Sequence, residues 1–541
     1  MAERKTFARE ATGLVREIGL WTGVILILCN VIGGGWQKRV FQVTGWAPVH
    51  NDALLFGLPP LAMAFFIVGV IVFLTVYVFS VLSAAMPRAG GGYVFISRLI
   101  SPPIGFVAAW VEFLAIAISY GLIAVAVTEL AWIFLSIVGF NLDPLMTTTG
   151  LAGTGLVFGV AFAAIGAMGV RMSGRILQLM FVIPAIITVA IYLMLITATP
   201  AAMEAGIKAI TGHAAIDYTK AALAQGMTAH SYWGSVGVAI IGAYWAYIGY
   251  AAVSFVGGEV KESNINLPKQ MFYASAIIMG VYVTISFFLA RAAGMAGVYQ
   301  NFSFFQAFGF LNYGGGSFAD AGLPTNVLAW MPVVATFSAV GKGLAWLAPL
   351  IGIAGVFWLA NDLPPFVLTS SRTLFAMAFD RALPEWIANI SEKYHSPINA
   401  IVITLIVSLV GVASESGIMA FNGVLATDLM DGIFFTLVCV AAIRFPSKMP
   451  EVYAKAPWKH KIGGMEAIVV VGWLALIGNL YLDYIFMTNE HDAINPFDWP
   501  EGFWFVVGTV VLGFILFYGT KAMYKKENID YDTIFAEIPP E

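Results

Sequence analysis

Ionisable side chains inside long apolar runs are the residues of this chain best placed to do chemistry. Glu112 and Glu129 share one such run, Asp362 follows Asn361 in "LANDLPPF", and Asp428 and Asp431 lie in "TDLMDG". Charge inside a membrane is costly, so such groups mark ion or substrate paths by default. Next to freed backbone carbonyls a carboxylate can bind Na⁺, and when protonated it carries H⁺. Asp362 is the first candidate for coupling, with Asn361 as an added oxygen ligand and Glu112 as a second site. The alternatives are a structural Asp362 that caps N–H groups disturbed by Pro364 and Pro365, and a Glu112 that only faces the inner vestibule or pairs with a loop arginine. Glu129 lies nearer the other end of its run, where a hydrated structural role fits. Active-site chemistry is not apparent. All six histidines fall in expected loops, HExxH is absent, and no nucleophile, base and orienting group cluster, so no enzyme and no metal site are expected.

The elements that must position these groups are membrane helices. Of 541 residues 60% are hydrophobic and 11% charged, far below the roughly one quarter charged in soluble domains. Net charge is −4 without a long basic tract, which argues against nucleic acid. Two cysteines in apolar runs exclude a disulfide framework. No GxxxxGK[ST] occurs, so no nucleotide is expected. Runs of about 20 apolar residues give about twelve spans, at 17–45, 58–85, 103–138, 152–170, 176–198, 234–258, 271–293, 346–379, 397–416, 420–443, 465–487 and 502–524. With the N-terminus inside, roughly 21 of the 27 Lys and Arg face inward, which places both termini in the cytoplasm of a multi-pass cell-membrane protein. "NVLAWMPVVATFSAV" (326–340) is short for a span, and 294–345 is expected to be an outer loop with a helix lying on or dipping into the protein.

Two spans carry internal breaks. The first holds Gly33-Gly34-Gly35, and the sixth, "GAYWAYIGYAAVSFVGG", has Gly249 near its middle. Glycine-interrupted spans in matching halves point to a transporter binding site. A break exposes N–H groups that attract a carboxylate and carbonyls that attract an ammonium or metal cation. Close helix packing is the other reading of these glycines.

Four segments together resemble the amino acid–polyamine–organocation (APC) permease superfamily with its LeuT-type fold. They are "VIGGGW" (31–36), "MPRAGGGYVFISR" (86–98), "WAYIGYAAVSFVGGEVKESNINLPK" (245–269) and "SRTLFAMAFDRALPEW" (371–386). The resemblance implies an all-α membrane protein with a 5+5 inverted repeat, broken first and sixth helices, and two added C-terminal helices. The layout would be a tail (1–16), the first repeat (17–198), an outer loop (199–233), the second repeat (234–443, with the loop 294–345), the last two helices (444–524) and a tail (525–541). It implies a secondary transporter, a permease, for an amino acid or related amine-bearing solute, without cofactor beyond a coupling H⁺ or Na⁺, or else an exchanger. A channel, an ion-only transporter, or carriage of a polyamine or nucleobase stand as alternatives. The backbone of Gly33, Gly34 and Gly35 would hold the substrate carboxylate. That of Trp245, Ala246, Ile248 and Gly249 would hold the amine, with Tyr247 and Tyr250 either an aromatic lid or ordinary packing. Relatives in the superfamily also suggest an outer latch of Lys38 or Arg39 with Asp428 or Asp431; a vestibule charged only for steering is the alternative. Trp36-Gln37 departs from the apolar pair usual there, and Gln37 is expected to face the substrate. Pro184 stands where some proton-coupled members have a lysine. Oligomeric state is left open.

Overall fold

The first apolar run does not hold one helix. It forms α1 (Leu20–Val31), leaves the helix at Ile32 and Gly33, winds a π-helical turn over Gly35–Arg39, and resumes as α2 (Val40–Trp46). Then follow α3 (Pro60–Ala85), the short α4 (Gly92–Leu99), α5 (Pro102–Ile137), α6 (Thr148–Ala167) and α7 (Val170–Ile196). After α8 (Pro200–Thr211) and α9 (Ala215–Ala224) comes α10 (Tyr232–Tyr247), which unwinds and resumes as the single turn α11 (Ala252–Phe255). The chain continues through α12 (Ser263–Gly294), α13 (Phe304–Tyr313), α14 (Met331–Gly341), α15 (Leu347–Ala360), α16 (Leu363–Phe379), α17 (Ile398–Glu415) and α18 (Ala426–Lys448). Last are α19 (Pro450–Lys455), a two-residue-per-strand hairpin of β1 (Lys461–Ile462) and β2 (Met465–Glu466), α20 (Ala467–Thr488), α21 (Pro500–Lys526) and α22 (Tyr531–Ala536). This computed structural model describes residues 7–8, 11–140, 142–419, 426–491, 495, 497–498, 500–527 and 531–540, without the Asp532 side chain. Much of the expected N-terminal tail, part of the C-terminal one, and the start of the expected span 420–443 lie outside the described residues.

Eleven helical runs among the described residues are long and apolar enough to cross a membrane, with α1–α2 and α15–α16 each counted as one. The chain is an all-α, multi-pass membrane protein. The 16-residue α10 is not among the eleven, because its run is cut by the unwinding after Tyr247. α5 is the central post: at 36 residues it is about 54 Å long, and it packs against α4, α6, α15, α16, α17, α18 and α21. α7 is peripheral and exposes Leu179, Ile186 and Val189, an apolar face suited to lipid. The stretch 294–345 carries two buried helices, α13 and α14, rather than one. At 11 residues α14 is too short to span and packs on α7, α8 and α15.

Prolines free backbone carbonyls inside two of the spans. Pro364 and Pro365 have no N–H, so the carbonyls of Ala360 and Asn361 lose their helical partners and α15 stops before α16 begins. In α7, Pro184 likewise frees the Met180 carbonyl, and the Asn361 side-chain amide donates to it at 3.2 Å. Pro184 thus lets α7 hold the break between α15 and α16.

Gly249 sits in the α10–α11 gap with φ +106. A Cβ there would come within 2.1 Å of Asn30 Nδ2 and 2.9 Å of the Asn30 carbonyl oxygen. Only a residue without Cβ combines that conformation with that approach. Gly249→Ala is expected to cost about 1–2 kcal/mol in backbone strain, besides displacing Asn30, and to lower both melting temperature and uptake in purified protein. Unchanged melting and uptake would show that the gap accepts a side chain.

Candidate functional site

The two breaks face each other. A Cβ on Gly35 would strike Ala246, and one on Gly34 would touch the Trp245 ring at 3.1 Å. The hydroxyl of Tyr282, on α12, reaches the carbonyls of Val31 and Ala246, the latter at 2.9 Å, and so ties the ends of both half-helices together. A lone tyrosine in an apolar helix gave no sequence signal for this role.

Between the breaks lies a cavity of about 30 Å³ whose lining includes Asn30, Gly34, Gly35, Ser119, Trp245, Ala246, Ile248, Asp362 and Asp431. A second of about 20 Å³ adjoins it, sharing Asn30, Ile116, Ile248 and Phe366 and adding Glu112, Gly249 and Phe435. Each is near the volume of one or two waters. A far larger cavity, about 420 Å³, lies between α2, α3, α10 and α12. Its polar lining comprises Thr44, Asn51 and Ser235, bonded to backbone carbonyls, with His50, Arg291 and Gln306, but neither glycine break reaches it, so its size does not make it the chemical centre.

Asp362 sits directly on the first break. A Cβ on Gly33 would come within 1.8 Å of its Oδ2, and the Gly34 N–H faces the same carboxyl. Asn361 spends its amide on Met180, while its Oδ1 has no partner among the described residues. The Glu112 and Asp431 carboxyls face each other within hydrogen-bonding reach. Asp431 is therefore not at the latch: it lies one turn beyond Asp428 along α18, about 4.5 Å deeper.

Packing corrects the expectation for Gln37 and decides between the two readings of Tyr247 and Tyr250. Gln37 does not face the cavity; its amide donates to Gly33 O at 3.1 Å and Gly355 O at 3.3 Å, closing the break against α15. Its neighbour Trp36 is buried edge-on to Trp358, with ring centres 6.3 Å apart. Tyr247 and Tyr250 form no lid. The Tyr247 hydroxyl donates to Phe65 O at 3.1 Å, and Tyr250 stacks on Phe435 at 5.0 Å. The ring that separates the central cavity from the space above it is Trp245, which lines both.

Above Trp245, Arg39 meets Asp428 at 3.4 Å with almost no exposure of either side chain, its guanidinium over the Trp46 and Trp245 rings at 5.8 and 5.3 Å. Lys38 turns elsewhere, to Glu129 at 2.7 Å and Glu415 at 3.2 Å. Glu415, at the last position of α17, was not singled out from sequence because a charge at a span end is ordinary. At the opposite end of α5 the quoted motifs converge. Arg98 pairs with Asp380, both fully buried, and Arg372 clasps Glu259 through Nε at 2.8 Å and Nη2 at 3.2 Å. The returning C-terminus covers this end, with Arg98 Nε donating to Glu537 O at 3.2 Å.

Trp46 also stacks on His491, 5.4 Å away and nearly parallel. Burial lowers the His491 pKa, with His230 adding to the effect and Glu490 opposing it. A histidine with a lowered folded pKa is stable when neutral, so its contribution is present above the unfolded value, about 6.5, and is lost as pH falls. Melting temperature is expected to drop on acidification from about pH 7 to 5, and His491→Phe should flatten that part of the profile. An identical slope in the variant would exclude this histidine as the cause.

Known sequences resemble this arrangement over most of its length. An uncharacterized transporter of Mycobacterium tuberculosis is 25% identical over 76% of this chain and 77% of its own. A branched-chain amino acid permease of Bacillus subtilis is 22% identical over 89% and 95%. A methylthioribose transporter of the same organism is 23% identical over 90% and 96%. The sequence profile of the amino acid permeases matches residues 18–515, a stretch that takes in both breaks, the cavity between them and the ion pairs at either end, and the chain belongs to the amino acid permease family.

Proposed function

We propose that this permease is a secondary active transporter that moves an amino acid or a related amine-bearing solute by alternating access. The observation that carries it is the small polar cavity between two facing backbone breaks, with buried ion pairs above and below. Opening Arg39–Asp428 and the Lys38 contacts would admit solute from one side; opening Arg98–Asp380 and Arg372–Glu259 would release it on the other. The Lys and Arg distribution supports a cell-membrane orientation with both termini cytoplasmic and the Arg39 end outside. The methylthioribose relative supports keeping the solute class wider than the standard amino acids.

H⁺ is the proposed coupling ion, and the Glu112–Asp431 contact supports it. Two adjacent buried carboxyls are held together by a shared proton and driven apart when both are charged. Reconstituted protein should show saturable uptake that an inward H⁺ gradient accelerates and that Glu112→Gln makes indifferent to the gradient. Acceleration by Na⁺ alone would shift the coupling role to Asp362 and Asn361, and unsaturable flux would point to a channel.

A further inference from the structure

We infer that Asp362 supplies the carboxylate of the binding site itself, and that the transported solute is an organic amine without a free carboxylate. This rests on the transport reading above and narrows its substrate.

The half-helix end that would hold a substrate carboxylate is already engaged. The Asp362 carboxyl lies against Gly33, where a Cβ would fall 1.8 Å from Oδ2, 2.5 Å from Cγ and 2.7 Å from Oδ1, and it faces the Gly34 N–H. A second carboxylate brought to the same amides would sit beside the first in a site nearly closed to water, where like charges repel strongly.

The remaining lining points to a donor. Three oxygens around the cavity, Asp362 Oδ1, Asn30 Oδ1 and Asp431 Oδ1, are buried and have no hydrogen-bond partner among the described residues. Buried acceptors are rarely left unmatched, and an alkylammonium brings three N–H donors. The lining of this cavity includes no Lys, Arg or His. Lys38 and Arg39 lie beyond Trp245, in ion pairs with Glu129, Glu415 and Asp428. The adjoining cavity offers Ile248, Phe366 and Phe435, an apolar wall for the carbon chain of the amine.

The test uses full-length protein in proteoliposomes and pairs of solutes that differ only by the carboxylate: isobutylamine against valine, cadaverine against lysine, tyramine against tyrosine. At least one amine should be taken up, and should compete about tenfold or more better than its amino acid, the scale of a charge-assisted hydrogen bond gained against a charge repelled. Asp362→Ala should reverse the order, because the amino acid then brings the carboxylate that the protein has lost; a gain of amino acid uptake cannot come from misfolding. Preference of the wild type for amino acids, with the amines inert, would overturn this inference and leave the transport reading standing. Uptake of neither class would overturn both.

Discussion

Arg39→Asp is expected to abolish uptake, Asp428→Arg to do the same, and the double reversal to restore a substantial part of it. The pair is 3.4 Å apart with side chains 6% and 0% exposed, so each single change leaves two like charges together away from water. Removing one partner of a buried pair already costs about 3–5 kcal/mol, and reversal adds repulsion. The contacts of the guanidinium with the Trp46 and Trp245 rings raise the stake, because Trp245 also roofs the cavity. The double reversal isolates the coupling from general damage. Two harmless single reversals would leave Arg39 as a steering charge and no more.

Arg372→Met is expected to destabilise the protein by about 3–5 kcal/mol, seen as a lower melting temperature and less folded protein, while Arg372→Met with Glu259→Met recovers most of the loss. Here the guanidinium and carboxylate are 0% and 2% exposed and joined by two parallel hydrogen bonds. One partner alone is a bare buried charge; neither partner is a packing problem that two apolar side chains can solve. If the double variant melts as low as the single, the pair has a net stabilising role that its desolvation does not cancel. If transport fails in the double variant at full stability, the pair is part of the closing mechanism.

These two pairs also show where sequence reasoning stopped. Arg372, Asp380, Glu259 and Arg98 all lie in segments legible as motifs, yet nothing in the linear order says that the third and fourth segments meet through Glu259 and Arg372, or the second and fourth through Arg98 and Asp380. Arg39 and Asp428 were legible as a pair because Arg39 follows the glycine break by about one turn, at a depth comparable to Asp428 on the same side, and the superfamily resemblance suggests a latch there. Asp431 was assigned to the same latch because three residues is nearly one turn. Along a helix that one turn is still about 4.5 Å of depth, enough to exchange an arginine for Glu112 as neighbour. Gln37 misled for a related reason. A polar residue after a glycine break reads as a ligand, but the break leaves its own carbonyl at Gly33 in need of a donor, and Gln37 supplies it.

What the sequence by itself determined is whatever depends on composition and local backbone chemistry. Apolar runs of sufficient length require helices in a bilayer. Three consecutive glycines, a glycine at positive φ and a proline pair interrupt helices wherever the chain goes, because missing Cβ atoms and missing N–H groups act within a turn. The tertiary structure alone decided what fills each interruption: Gln37 and Tyr282 on carbonyls, Asp362 against Gly33, Trp245 as the roof and the two tyrosines as packing. Those choices are settled by side chains that arrive from distant helices and compete for the same freed backbone groups, and that competition depends on distance and burial, which the order of residues does not record.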